Sequence, residues 1–237
     1  METGVLHEST GPRILHTAAW ASLFEHGNTQ AFMEKKYRKE LRAYTVRVLL
    51  SRHPEIRRLK NRHAPTVHGN KNWSSSWLLI DYLHHKGLPL GSRVLEIGCG
   101  WGLAGIYCAK KYGAEVTGID VDRDVFPFLQ LHANINKVEV ATRKKNYAHL
   151  TVSELSRFDL LIGSDICFWE SMIDPLIRLI RRAIKAGVRE VLIADPGRTT
   201  FDKVCKHFSE KETGEVLEWT TRKPRPLGGF ILRVHGT

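Results

Sequence analysis

From residue 93 onward, short apolar runs alternate with segments whose apolar residues recur at three- and four-residue steps. RVLEI, EVTGI, VEVAT, FDLLIG and VREVLIAD are the apolar runs. LAGIYCAKKY, residues 124–134, DPLIRLIRRAIKAG and FDKVCKHFSEK carry the helical period. EVLEWTT and GFILRVH follow as two more strands around the turn-rich RKPRPLGG. Strands separated by helices predict a mostly parallel sheet covered on both faces. The last two strands leave no room for a helix between them, so that pair is expected to be antiparallel. The fold class is therefore α/β, a seven-stranded mixed, mostly parallel, Rossmann-like sheet.

Ahead of the sheet the pattern is helical. AFMEKKYRKELRAYTVRVLLSRH places Phe32, Tyr37, Leu41, Tyr44, Val48 and Leu49 at helical steps, with Glu34, Lys35, Lys36, Arg38 and Lys39 filling the other face. This spacing predicts a helix, interrupted at Pro54 and continued by EIRRLKNRH. A short helix fits Ala18–Phe24. In NWSSSWLLIDYLHHKGLPLGSR, Ser74, Ser75 or Ser76 caps a helix through Tyr82 to His85, and Gly87 and Pro89 stop it. The expected organisation is a basic helical N-terminal extension over residues 1–64 and one α/β domain over residues 65–237.

Charge and composition narrow the classes. The chain of 237 residues has a formal charge of +11. Residues 1–90 hold 14 Lys and Arg against 7 Asp and Glu, so the basic excess is concentrated there. Such an arm either steers an acidic protein or a nucleic acid, or is a solvated face. The basic residues lack the aromatic interleaving of a single-strand binder. No stretch reaches the roughly eighteen consecutive apolar residues of a membrane helix. METGVLHEST has no basic start followed by an apolar core, so no signal peptide and a cytoplasmic location are expected. Cys99, Cys108, Cys167 and Cys205 form no CxxC pair and read as buried free thiols. No P-loop, HExxH or zinc-ligand spacing is present in the sequence.

The chemistry concentrates in VLEIGCGWGLAG. A strand entering a glycine-rich turn and then a helix places a ligand at the carboxyl edge of a parallel sheet. Gly100, Gly102 and Gly105 match GxGxxG literally. Glu96, however, sits at the strand end two residues before Gly98, where a carboxylate would repel a pyrophosphate. Asp120 ends the next strand and can accept hydrogen bonds from ribose hydroxyls. A ribose-binding acid beside a loop that is not built for phosphate points to S-adenosyl-L-methionine. Gly98, Gly100 and Gly102 then give room to its methionine moiety, Glu96 organises the loop, and Val121 lies by the adenine edge. Asn146 reads the adenine amino group through its carbonyl, or Tyr147 packs there instead, or both belong to a surface loop.

LEIGCGWG followed by GIDVD resembles the first two motifs of class I, seven-stranded methyltransferases, over roughly residues 65–237. HGNKNWSSSWLLIDYL is similar to the entry segment of the family sixteen group, which includes many protein-lysine methyltransferases. ADPGR resembles the electron-transfer-flavoprotein beta-subunit lysine methyltransferases. In that group the fourth strand ends with an acid, two residues and a tyrosine; here SDICF puts Asp165 at the acid and Phe168 at the tyrosine. The resemblance implies that Asp165 touches both the methionine amino group and the incoming nucleophile, or else caps the following segment. Phe168 and Trp169 wall an acceptor channel, and Trp73 closes it or serves as an apolar anchor. Asp195 and Arg198 face the substrate or only form a turn. The implied activity is methyl transfer to a protein side chain, with lysine expected. The alternatives are a small-molecule acceptor and a non-catalytic adaptor that binds the cofactor. Nucleic acid is disfavoured, because SDIC does not match the Asn/Asp-Pro-Pro-aromatic motif of base-amino methyltransferases.

Overall fold

The computed structural model describes residues 39–66, 68–69 and 71–236. The helix expected at 18–24, and Lys35, Lys36 and Arg38 of the basic arm, lie outside these residues.

The described chain opens with a hairpin, β1 (Glu40–Ala43) and β2 (Val46–Leu49), where a helix was expected. Tyr44 and Thr45 form the turn, both with positive φ (49° and 71°). That geometry matches the right-handed twist of paired strands. Val46 and Val48 are fully buried, and β-branched residues favour the pleated backbone. The helix α1 (Pro54–Arg62) then forms as the sequence indicates, with His53 accepting from Glu55 N at its start. The helix α2 (Ser75–Lys86) also forms, but no serine side chain caps it.

The main sheet contains β3 (Arg93–Ile97), β4 (Glu115–Asp120), β5 (Ala141–Lys144), β6 (Leu160–Ser164), β7 (Glu190–Asp195), β8 (Gly214–Thr221) and β9 (Leu227–His235). Their order is β5-β4-β3-β6-β7-β9-β8. The first five run parallel; β9 pairs antiparallel with both β7 and β8. The crossovers carry α3 (Leu103–Tyr112), α4 (Phe126–Asn136), the single turn α5 (Val152–Leu155), α6 (Ile173–Lys185) and α7 (Thr199–Lys211).

Strand pleating divides the core into two layers. Val94, Ile162, Leu192 and Ile231 face α2 and α3, where Leu79, Ile80, Ala104 and Tyr107 are buried. Leu95, Leu161, Ile193 and Leu232 face α6 and α7, where Ile180, Phe201, Val204 and Phe208 are buried. The central strands are therefore apolar on both faces, which is why they read as continuous runs. The four cysteines are buried free thiols. Connections from β3 leave toward β4 on one side, while β6 lies on the other. This reversal opens a crevice beyond the carboxyl ends of β3 and β6.

Candidate active site

The loop after β3 fills the near side of that crevice. Gly98, Gly100 and Gly102 all have positive φ. At Gly100 a Cβ would meet no atom within 4 Å, so its missing side chain leaves open space above the loop. Cys99 N donates to Ile119 O (3.0 Å), tying the loop to β4. The Trp101 indole stacks on Phe128 (centroids 5.4 Å apart) and on His132 (5.2 Å), and its Nε1 donates to Gly69 O (3.0 Å). The loop is thus clamped between α4 and the segment that precedes α2.

Glu96 lies beneath this loop and does not line the cleft. Its Oε2 accepts from Gly105 N (3.1 Å), in the first turn of α3. A Cβ on Gly105 would come within 2.6 Å of that oxygen, so glycine is needed for the contact. Burial pushes the Glu96 pKa up to about 8, against the opposing pull of the Gly105 and Ala104 amides.

Asp120 ends β4 facing the loop. Its Oδ2 accepts from Gly100 N (3.1 Å) and its Oδ1 from Asp122 N (3.0 Å). Burial raises its pKa, and the two amides lower it in return. Each oxygen keeps a lone pair for a ligand hydroxyl.

Above the loop is a cleft of about 220 Å³. It brings together eight residues expected from the sequence: Trp73, Gly98, Gly100, Asp120, Val121, Asn146, Asp165 and Phe168. Gly102 instead lines a smaller adjoining pocket with Trp73 and Ser76. Asn146 Oδ1 already accepts from Ala148 N (2.9 Å). That oxygen keeps a second lone pair, and the amide nitrogen is also open to a ligand. Tyr147 also lines the wall, and burial pushes its pKa up to about 12.

Asp165 follows β6 with φ of 55° and a side chain only 3% exposed. Both carboxylate oxygens are engaged. Oδ2 accepts from Ser75 N (3.1 Å), so Asp165 supplies from across the cleft a cap that the serines do not give α2. Oδ1 pairs with Arg198 Nη1 (2.7 Å). The same nitrogen pairs with Asp195 Oδ2 (2.5 Å), and Asp195 Oδ1 accepts from Gly197 N and Arg198 N. Asp195 is 1% exposed and shapes the DPGR turn without lining the cleft. The Arg198 guanidinium sits 4.3 Å over the Phe168 ring and 5.8 Å from the Trp73 centroid.

His68 was not anticipated from the sequence. Its ring stacks on Phe168 (4.7 Å, 27°) and meets Trp73 edge-on (5.9 Å). No local pattern marks it, because Phe168 lies a hundred residues away in the chain. Ser75 Oγ is the one buried side-chain polar atom without a partner among the described residues. The cleft therefore has one end with a carboxylate and glycine amides and another with aromatics around a buried charge cluster. A ribose, a flexible amino-acid chain and a cationic or polar acceptor can be held in series along it. Among the described residues no cluster of His, Cys, Asp and Glu is arranged to bind a metal.

A family model described as lysine methyltransferase matches residues 56–223. The electron transfer flavoprotein beta subunit lysine methyltransferase of Xenopus laevis is 27% identical over 60% of this chain and 59% of its own. Protein N-lysine methyltransferase METTL21A of Xenopus tropicalis is 34% identical over 45% of this chain and 51% of its own. A ubiquinone biosynthesis O-methyltransferase of Alkalilimnicola ehrlichii is 36% identical over 46% of this chain and 44% of its own. The chain spans about half the length of these curated relatives. Among solved structures, magnesium protoporphyrin IX methyltransferase from Synechocystis with bound SAM superposes with a TM-score of 0.52, covering 68% of this chain and 77% of that one at 16% identity. At that identity the likeness is one of fold.

Proposed function

Because the chain belongs to the lysine methyltransferase family, we propose that it is an S-adenosylmethionine-dependent methyltransferase acting on a protein side chain, with lysine as the acceptor. The observation that carries this reading is the single cleft with a carboxylate–glycine end and an aromatic–acidic end. Asp120 accepts the ribose hydroxyls, Val121 lies along the adenine, and Gly98 and Gly100 leave room for the methionine chain. S-adenosylmethionine, when bound, supplies a methyl group already activated by the sulfonium. The task of the chain is then alignment, which can supply most of the rate gain in a transfer of this kind.

At the other end, Trp73 and Phe168 wall the approach of the acceptor. Asp165 and Asp195 place two carboxylates against the one guanidinium of Arg198. That balance leaves the floor net negative and attractive to an ammonium. With both oxygens engaged, Asp165 orients the site rather than taking a proton. The acceptor amine loses its proton toward water at the open mouth, where His68 and Trp169 are exposed.

Incubation with labelled S-adenosylmethionine and fractionated lysate, followed by mass mapping, tests this reading. The expected result is label on a lysine of a protein. Label confined to small molecules would overturn the protein acceptor and leave methyl transfer standing. Asp165→Asn retains an oxygen for Ser75 N but loses charge against Arg198. It should lower turnover by about 10²-fold with little change in cofactor affinity. Wild-type turnover would remove Asp165 from the acceptor site.

A further inference from the structure

Around the mouth of the cleft, the turn joining β8 to β9 carries Arg222, Lys223 and Arg225, all exposed. Neither these three nor Lys71 has an acidic partner among the described residues. Sheet topology fixes where the turn lies. β9 runs antiparallel to β7 and pairs Phe230 with Asp195, and β8 ends where Thr221 pairs with Leu227. The turn therefore projects from the same sheet edge as the glycine loop, Asp120 and Asp165.

It is also held in place there. Arg225 Nη2 donates to Ser74 Oγ (3.1 Å), next to the cleft residue Trp73. Lys223 N donates to Thr221 Oγ1 (3.2 Å), tying the turn to the end of β8. Lys71 Nζ lies 3.9 Å over the Trp73 ring, which meets Phe168 edge-on at 5.1 Å. Lys71 and Arg225 thus sit one side chain away from the aromatic end of the cleft, with Arg222 and Lys223 beside them in the same turn.

The charge pattern has two zones: a net-negative floor, Asp165 in the cleft wall with Arg198 and Asp195 behind it, and a positive rim. We propose that the β8–β9 turn, with Lys71, docks an acidic segment of the protein acceptor flanking the residue that enters the cleft. The inference rests on the protein-acceptor reading above. A polypeptide can set a cationic side chain over the floor and carboxylates over the rim. A nucleic acid would bring uniform negative charge across both zones, and the floor would repel it.

The test uses the full chain and fluorescence anisotropy. The probes are a labelled peptide with one lysine flanked by glutamates, its glutamine counterpart, and a single-stranded RNA of equal length. Arg222→Gln, Lys223→Gln and Arg225→Gln are combined in one variant. The control combines Lys111→Gln, Lys137→Gln and Arg157→Gln, an equal charge change in exposed residues toward the amino ends of the strands. At low salt the glutamate peptide should bind about tenfold tighter than the glutamine peptide. The rim variant should lose that preference and the control should keep it. Equal loss in both variants would reduce the effect to net charge and overturn the proposal, as would an unaffected rim variant. RNA binding that depends on the rim while peptide binding does not would overturn it in favour of nucleic acid. Binding is read without turnover, so failure of methyl transfer and failure of this docking surface give separate results.

Discussion

Asp120 and Glu96 are both acids at strand ends beside the glycine loop, yet burial and partners set them to different tasks. Asp120 borders the cleft with lone pairs to spare. Asp120→Ala should weaken S-adenosylmethionine or S-adenosylhomocysteine binding by roughly 1.5–3 kcal/mol, measured by calorimetry. Unchanged affinity in a folded variant would take it out of the cofactor site. Glu96 is sealed beneath the loop, and its pKa of about 8 stands above the ordinary 4.5. The folded state therefore holds a proton that the unfolded chain releases between those values. Stability from this group is complete below pH 4.5, falls as pH rises, and levels off above about 8. Glu96→Gln should remove that slope, which amounts to about 5 kcal/mol at its upper limit. Urea unfolding of both proteins across this range measures it; parallel curves would mean that Glu96 does not carry the proton. The motif made these two acids legible, because a strand, a glycine turn and a second strand fix them by local spacing. The partners of Asp165 were not legible. Ser75 N is 90 residues away and Arg198 arrives from another strand, so only the folded sheet edge joins them.

Elements were readable where one period dominates. The central strands β3, β4, β6 and β7 are apolar runs too short to be helices, and Gly87 and Gly113 mark helix ends where the backbone turns. The run VEVAT, by contrast, lies mostly ahead of β5, whose own residues, ATRK, are largely exposed and give no apolar signal. The hairpin β1–β2 escaped because Leu41, Tyr44 and Val48 fit a helical step, while its turn, Tyr44-Thr45, lacks the glycine or asparagine that usually signals positive φ. Tertiary packing decided the outcome. Leu49 N donates to His132 Nε2 (3.1 Å), while His132 Nδ1 donates to Phe128 O (2.7 Å), so the neutral ring joins hairpin to helix. Burial lowers the His132 pKa below its ordinary 6.5. Its contribution to stability is present above pH 6.5 and is lost as pH falls through the folded-state value, because protonation removes the acceptor for Leu49 N. Amide exchange at Leu49, corrected for the intrinsic pH effect, should accelerate as pH drops from 7.5 to 5.5. Constant protection over that interval would show that His132 does not anchor the hairpin.

At the scale of the molecule, the earliest described strands and the last strands are held against the same helix. Asp81, buried in α2, is the point where they meet. Its Oδ1 accepts from Tyr44 in the hairpin turn and from Thr221 Oγ1 (3.1 Å), and its Oδ2 accepts from Trp219 Nε1 (2.7 Å) in β8. Nothing in LLIDYL announces this role, since an aspartate on an apolar helix has no local partner and its donors come from 37 residues earlier and 138 residues later. A buried carboxylate satisfied by several donors strengthens each bond and becomes costly when one side is removed. Asp81→Ala, which leaves the donors unpaired, should lower the unfolding free energy by about 2–4 kcal/mol. Tyr44→Phe removes one donor and should cost about 1 kcal/mol. If the carboxylate is a shared node, the double variant should be less destabilised than the sum of the two, with a coupling of about 0.5–2 kcal/mol in a double-mutant cycle by urea denaturation. Strict additivity would mean that the hairpin and the last strands are held independently. Asp81 lies outside the cleft wall, so the surviving folded Asp81→Ala protein should bind S-adenosylhomocysteine as the unaltered chain does. A loss of affinity beyond the loss of folded protein would instead place this node in control of the cleft.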